Sequence, residues 1–160
     1  MSMSEERTPV PGWGLLPVCR FGSTPEIEER LAALVIAGRK RATVWDGGED
    51  NPTVPGMRWA VMAGARVVAV METVAVGRRR FSEIDEDFAA LEGEGDGSLR
   101  FWRLAHEEYF GKAGRFDPQM WLWWEEFRLI AVIDTDLAAA ADGHVAAEEA
   151  EALAMLSARD

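Results

Sequence analysis

One short stretch concentrates residue types that could do chemistry: Gly38-Arg39-Lys40-Arg41-Ala42-Thr43. Three consecutive cations follow a glycine, in a chain whose formal net charge is −11. Lys40 is one of two lysines, the other being Lys112, and the remaining 15 of the 17 basic residues are arginine. An ammonium can lose its proton and act as a base or nucleophile, whereas a guanidinium effectively cannot. Lys40 is therefore a candidate reactive amine. The competing reading is a solvated charge just past a helix C-terminus, where cations are favoured anyway.

Carboxylates form the second group. Glu92-Gly93-Glu94-Gly95-Asp96 puts three acids in a glycine-rich turn. Glycine lets backbone approach a ligand closely, and one of these acids could act as general acid or base, or hold a hydroxyl or amino group. An acidic turn between helices accounts for the same residues, and their spacing lacks the EF-hand pattern. Glu72 interrupts the apolar run VVAVMETVAV. Strict alternation puts it on the face of Val68, Val70, Val74 and Val76, where it needs a partner. Glu125 and Arg128 interrupt the last apolar run and read as an ion pair or as pocket lining. His106, near Arg103 and Glu107, reads as a hydrogen-bonded helical histidine. The chain has seven tryptophans. Trp45, two residues after Thr43, is placed to stack on a base, and most of the others suit a core or interface. Arg78-Arg79-Arg80 is a second basic patch.

The elements that must position these residues follow from periodicity and caps. Ser23 or Thr24 caps a helix with Pro25 in its first turn and Ile27, Leu31, Leu34 and Val35 as its buried stripe, and Gly38 stops it. A short strand covers 42–45, and a polar loop from Asp46 to Pro55 follows. Residues 57–63 and 66–76 form a β-hairpin about Gly64-Ala65. A second helix starts at Phe81 with Ser82 as cap and breaks at the glycines of 92–97. Ser98 caps a third, ended by Gly111, with Phe101, Leu104 and Ala105 on one face and Trp102 and Tyr109 at its edge. Residues 120–133 form a long strand. Residues 1–14 read as an irregular arm. The alanine-rich, acidic tail after Asp134 is helical by propensity. Its apolar stripe is thin, leaving open whether it packs back on the domain, associates with another copy as a homodimer, or hangs loosely.

The 160 residues, 48% of them hydrophobic, suit one globular core. Their acidity argues against a general duplex-binding surface, though a local basic groove remains compatible with it. The single cysteine, Cys19, and the separated His106 and His144 offer no structural zinc pattern, so no metal is expected. No P-loop, dinucleotide motif or serine elbow occurs, and no cofactor is expected. The first residues lack an apolar signal segment and no run reaches membrane-spanning length, so a cytoplasmic protein with no membrane partner is expected.

Taken in order, several stretches resemble the ASCH domain family, a branch of the PUA-like folds. They are the helix ending in Gly38-Arg39-Lys40-Arg41-Ala42-Thr43 (a G-x-K-x-x-T pattern), Val70-Met71-Glu72-Thr73, Phe81-Ser82-Glu83-Ile84, the 92–96 turn with Ser98-Leu99, Trp102-Arg103 with His106, and Glu125, Phe127 and Arg128. The likeness covers about residues 22–133. It implies an α+β fold, a small mixed or antiparallel β-barrel flanked by helices, over 21–135, with an N-terminal arm (1–20) and an extra helical extension (136–160). It also implies a cleft bounded by the first helix and its following strand, and a role with RNA or modified nucleosides.

One branch of the family removes the acetyl group from N4-acetylcytidine with a lysine, a threonine and a glutamate. Another member is a ribonuclease that uses the same lysine. Carried over, these imply Lys40, Thr43 and Glu92 as catalytic residues, with Glu94 and Asp96 as alternatives to Glu92. Arg39, Arg41, Trp45, Glu72, Arg103, His106, Glu125 and Arg128 are then candidate substrate contacts. Amide cleavage would require a neutral Lys40 to take the Thr43 proton, while phosphodiester cleavage would keep Lys40 charged. A noncatalytic RNA- or nucleotide-binding module is the alternative to a hydrolase.

Overall fold

The computed structural model describes residues 2–160, with side chains from Glu5 onward. It is a mixed α+β fold. Strands β1 (Ser2–Val10) and β2 (Gly14–Arg20) precede helix α1 (Pro25–Ile36) and strands β3 (Ala42–Asp46), β4 (Arg58–Ala63) and β5 (Arg66–Arg80). A single 3-10 turn (Phe81–Glu83), α2 (Glu86–Glu92), α3 (Leu99–Lys112), β6 (Trp121–Val132) and α4 (Thr135–Ser157) follow. The six strands lie in the order β1-β2-β4-β5-β6-β3. The β2–β4 pair is parallel and the other pairs are antiparallel. Among the described residues no pairing joins β1 to β3, so the sheet is open between them.

The N-terminal arm is a correction to the sequence reading. Residues 2–20 form a hairpin that joins the sheet through β2. Its prolines and polar residues argued for irregular chain, but an edge strand tolerates both, because one side of its ladder carries no partner. The second helix is also corrected. Residues 81–83 make only the 3-10 turn, and Asp85, not Ser82, caps α2 by accepting from the Phe88 amide.

Thr24 caps α1, accepting from the Ile27 amide. Leu31, Leu34 and Val35 are buried as expected, but Ile27 is 43% exposed. On α3 the buried ridge is Trp102 and Phe110 with half-buried His106 between them, an i, i+4, i+8 row, rather than Phe101, Leu104 and Ala105. The tail packs back on the domain: α4 lies against α1, and Leu137 and Ala141 join the main core.

The two larger apolar clusters among the described residues position the site. One joins α1 and α4 to the sheet through Leu34, Trp59, Met71 and Phe127. The other joins α2 and α3 to β3 and β6 through Val44, Phe81, Trp102 and Leu122. The chain between α1 and β3 runs past both.

Candidate functional site

Backbone hydrogen bonds fix this crossing segment before any side chain acts. Arg39 N–H and Lys40 N–H both reach Leu34 O at the end of α1 (2.9 and 3.1 Å), and Arg41 N–H reaches Leu91 O at the end of α2 (2.7 Å). Gly93 ends α2 in a left-handed conformation (φ +65°), and a Cβ there would stand 2.1 Å from Arg39 O. Only glycine lets the two motif segments come this close.

The Lys40 side chain is 1% exposed. Its Nζ donates to Ala42 O (2.9 Å), Glu94 Oε2 (3.0 Å), Glu92 O (3.3 Å) and Glu92 Oε1 (3.4 Å). Burial alone would push the amine pKa down, but the Glu94 and Glu92 carboxylates outweigh it and hold the pKa above its usual value. Lys40 is therefore a cation at rest. This argues against the neutral Lys40 that amide cleavage through a lysine base would require.

The two acids are tuned apart. Burial works to raise the Glu94 pKa, but the charges of Lys40 and His106, with hydrogen bonds from Lys40 and Glu92, bring it down to about 2. Burial raises that of Glu92 and prevails over the opposing charges of Lys40 and His106. Glu92 also accepts from the Trp102 indole N–H. His106 lies 3.5 Å from Glu92 Oε2 through Nε2, and its Nδ1, 2.7 Å from Trp102 O, must carry the proton of that bond. Two neighbouring carboxyls with divergent proton affinities are a common basis for assigning acid and base roles.

These groups form the floor of a cavity of about 490 Å³, together with Thr43. Its walls include Phe21, Ile27, Leu31, Tyr109 and Phe110, which accounts for the exposure of Ile27. Glu92, Glu94 and His106 bring ligand atoms within 4.8 Å of one another, a possible cation cage. Lys40 Nζ already occupies the carboxylate oxygens, so a divalent ion would stand against a buried ammonium. The donor set fits Lys40 better than a metal.

The other sequence-predicted residues lie outside the cavity. Arg39 is drawn off by Glu149 of α4. Arg41 is exposed, its Nε on Gly38 O at 3.1 Å, and Arg103 is exposed on α3. Trp45 stacks on Trp123 and lines a smaller adjoining cavity. Glu72 sits in a cross-strand row with Arg58 and Arg128, accepting at 3.1 and 2.8 Å. The register shift at Thr73/Ala75 puts an extra residue in β5 and breaks the alternation between Glu72 and the valines that follow it. Glu125 is fully buried opposite Thr43 in the β3–β6 ladder and pairs with Thr73, not Arg128.

Sequence reasoning missed the aromatic walls and Trp102 as a donor to Glu92, although the Trp102-His106-Phe110 spacing could have revealed the ridge. It also missed Glu148, which accepts from the Gly95 amide (3.0 Å) and ties the acidic turn to the tail. No local pattern links residues so far apart in the chain.

The family model for the ASCH domain matches residues 17–131. The crystal structure of an ASCH domain from Lactobacillus crispatus JV V101 is 29% identical, with a TM-score of 0.65, covering 71% of this chain and 79% of that one. A protein from Enterococcus faecalis V583 is 25% identical, with a TM-score of 0.60 and the same coverage of 71% and 79%. No curated protein matches significantly. Among the described residues no helix is long and apolar enough to cross a membrane. With the family match running from β2 to β6 and taking in α1 to α3 and the cavity floor, the chain belongs to the ASCH domain family.

Proposed function

We propose that the cavity binds an uncharged, nucleoside-sized ligand and hydrolyses an amide on it, as in an N-acylated nucleobase. The observation that carries this reading is the buried Lys40 ammonium held between Glu92 and Glu94 beside Thr43, under apolar walls. Aromatic and aliphatic walls suit a flat base, and the few polar groups converge at one end. Lys40 is the sole Lys or Arg among the cavity's lining residues, and two carboxylates already accompany it. A phosphodiester placed there would have to displace Glu94 from the one buried ammonium, which favours the amide over the ribonuclease reading.

In this mechanism Glu92, the more basic carboxylate, takes the proton as the Thr43 hydroxyl attacks the acyl carbon. Lys40 stabilises the oxyanion that forms. Glu92 then passes its proton to the leaving amine as the C–N bond breaks. Water, activated the same way, releases the acid from Thr43. Glu94 remains ionised and keeps Lys40 charged and aimed. The roles of Lys40 and Glu92 thus differ from the neutral-lysine mechanism.

The test is a panel of N4-acylated cytidines and related N-acyl nucleosides, with free acid and amine measured by mass spectrometry. Turnover by the wild type, with losses of at least about 100-fold in Lys40→Ala and Glu92→Gln, is expected. Binding without turnover on any panel member would instead establish the noncatalytic module.

A further inference from the structure

The second basic patch remains unused by this site. Arg78 and Arg80 stand on β5 directly opposite Trp123 and Trp121 of β6, and Trp123 stands opposite Trp45 of β3. The alternation of each strand puts all five side chains on one sheet face, the face that also carries Thr43. They interleave. The Arg80 guanidinium lies 4.3 Å from the Trp121 ring, Arg78 lies 5.1 Å from Trp121 and 5.2 Å from Trp123, and Trp123 stacks on Trp45 at 6.4 Å. Trp45 lines the smaller cavity, which shares Val44, Tyr109 and Phe110 with the main one. The ladder therefore leads from the mouth of the site.

Its charge is distinctive. The chain carries 28 acids against 17 bases, yet among the described residues no carboxylate lies within 4.0 Å of the guanidinium groups of Arg78, Arg79 or Arg80. Nearby Asp46 and Glu49 are instead engaged by Arg115. Arg78 and Arg80 each spend one N–H on a backbone carbonyl, of Gly47 and Gln119. A guanidinium stacked on indole is held flat and keeps its other N–H groups for an anion, which suits two-point recognition of phosphate. Exposed Trp121 adds an aromatic face for a base.

We infer that the Arg80–Trp121–Arg78–Trp123 ladder, backed by buried Trp45, is a binding track for a single-stranded nucleic acid, with phosphates on the arginines and bases on Trp121 and Trp123. This rests on the nucleoside reading of the cavity, for which the track would present a nucleotide within a strand. Arg78 and Arg80 are about 7 Å apart along β5, on the order of one extended nucleotide. Phosphates excluded from the acidic cavity floor would have their cations here.

The test is fluorescence anisotropy of a labelled 12-nucleotide oligouridylate, and of its DNA counterpart, over 50 to 300 mM KCl. Wild-type binding should weaken with salt. Arg78→Gln/Arg80→Gln should bind at least about 10-fold more weakly, with the log–log salt slope shallower by about 1.4. Arg78→Lys/Arg80→Lys should keep the slope while losing affinity with the stacked planes. Arg128→Gln, whose cation is already paired with Glu72, should stay within about twofold. Thermal melts establish that each variant is folded.

An unaltered double variant, an equal loss in Arg128→Gln, or no wild-type binding to either strand overturns the track. Hydrolysis of free N-acyl nucleosides, with Arg78→Gln/Arg80→Gln unchanged, would leave the cavity reading standing even then. Ladder-dependent binding without any nucleoside turnover would fail the cavity reading and leave the track.

Discussion

Replacing Glu125 with glutamine isolates one buried proton. Trp59 donates to Thr53 (3.1 Å), the Thr53 and Thr73 hydroxyls are 2.6 Å apart, and Thr73 donates to Glu125 Oε1 (2.6 Å). Because an indole only donates, the chain of bonds runs toward Glu125. Oε2 is buried without a partner, so no second bond favours the ionised form. Burial raises the Glu125 pKa from 4.5 to about 7, against the Thr73 bond and the Lys40 charge. The folded state thus binds this proton more tightly than the unfolded chain. Its stability contribution is fully present below pH 4.5 and is lost as pH rises through 7.

A shift of that size is worth about 3 kcal/mol. Glu125→Gln stays neutral, keeps an oxygen for Thr73, and should match the wild type near pH 4.5. At pH 8 it should be more stable by up to about 3 kcal/mol, or roughly 6–12 °C in Tm for a domain of this size. Urea unfolding followed by tryptophan fluorescence between pH 4.5 and 8 gives the difference curve. Other titrating groups are common to both proteins. Parallel curves, or a variant less stable at pH 8, would refute a protonated Glu125.

Three further outcomes follow from the same geometry. Lys40→Met leaves two buried carboxyls without their cation and should cost about 3–5 kcal/mol at pH 7. The cost should shrink near pH 4, where the freed acids protonate, and equal losses by urea unfolding at both pH values would contradict the ion-pair account. Gly93→Ala places a Cβ against Arg39 O at positive φ, and a loss of about 2–4 kcal/mol in thermal melts is expected. Glu148→Ala removes the acceptor of the Gly95 amide and a partner of Arg30. Amide exchange should quicken across 93–98 while the sheet stays protected, and unchanged exchange there would mean that α4 does not hold the turn.

The C-terminal helix connects these observations. It lies outside the matched family segment, yet Glu148 and Glu149 reach the acidic turn and Arg39. The helix thus satisfies the Gly95 amide and the Arg39 cation beside the cavity, and its contacts with α1 seat it there. The local sequence supports a helix, while its packing partner is set by residues on α1.

The sequence by itself determined the local units. Thr24, Pro25 and Gly38 bounded α1 through side-chain capping and glycine's access to positive φ, and Gly64-Ala65 turned the central hairpin. The rarity of lysine marked Lys40, and the ordered family motifs brought in Thr43 and Glu92. Each of these depends on chemistry within a few residues. Tertiary structure decided what distance along the chain conceals. The pairing of Glu72 with Arg58 and Arg128 depended on the register of β4, β5 and β6, which no local pattern marks. Prolines hid the β1–β2 hairpin because their tolerance in β1 depends on its place at the sheet's edge. The protonation of Lys40 was decided only when two carboxylates 52 and 54 residues away met a buried amine, since the strength of that field depends on distance and burial rather than on chain order.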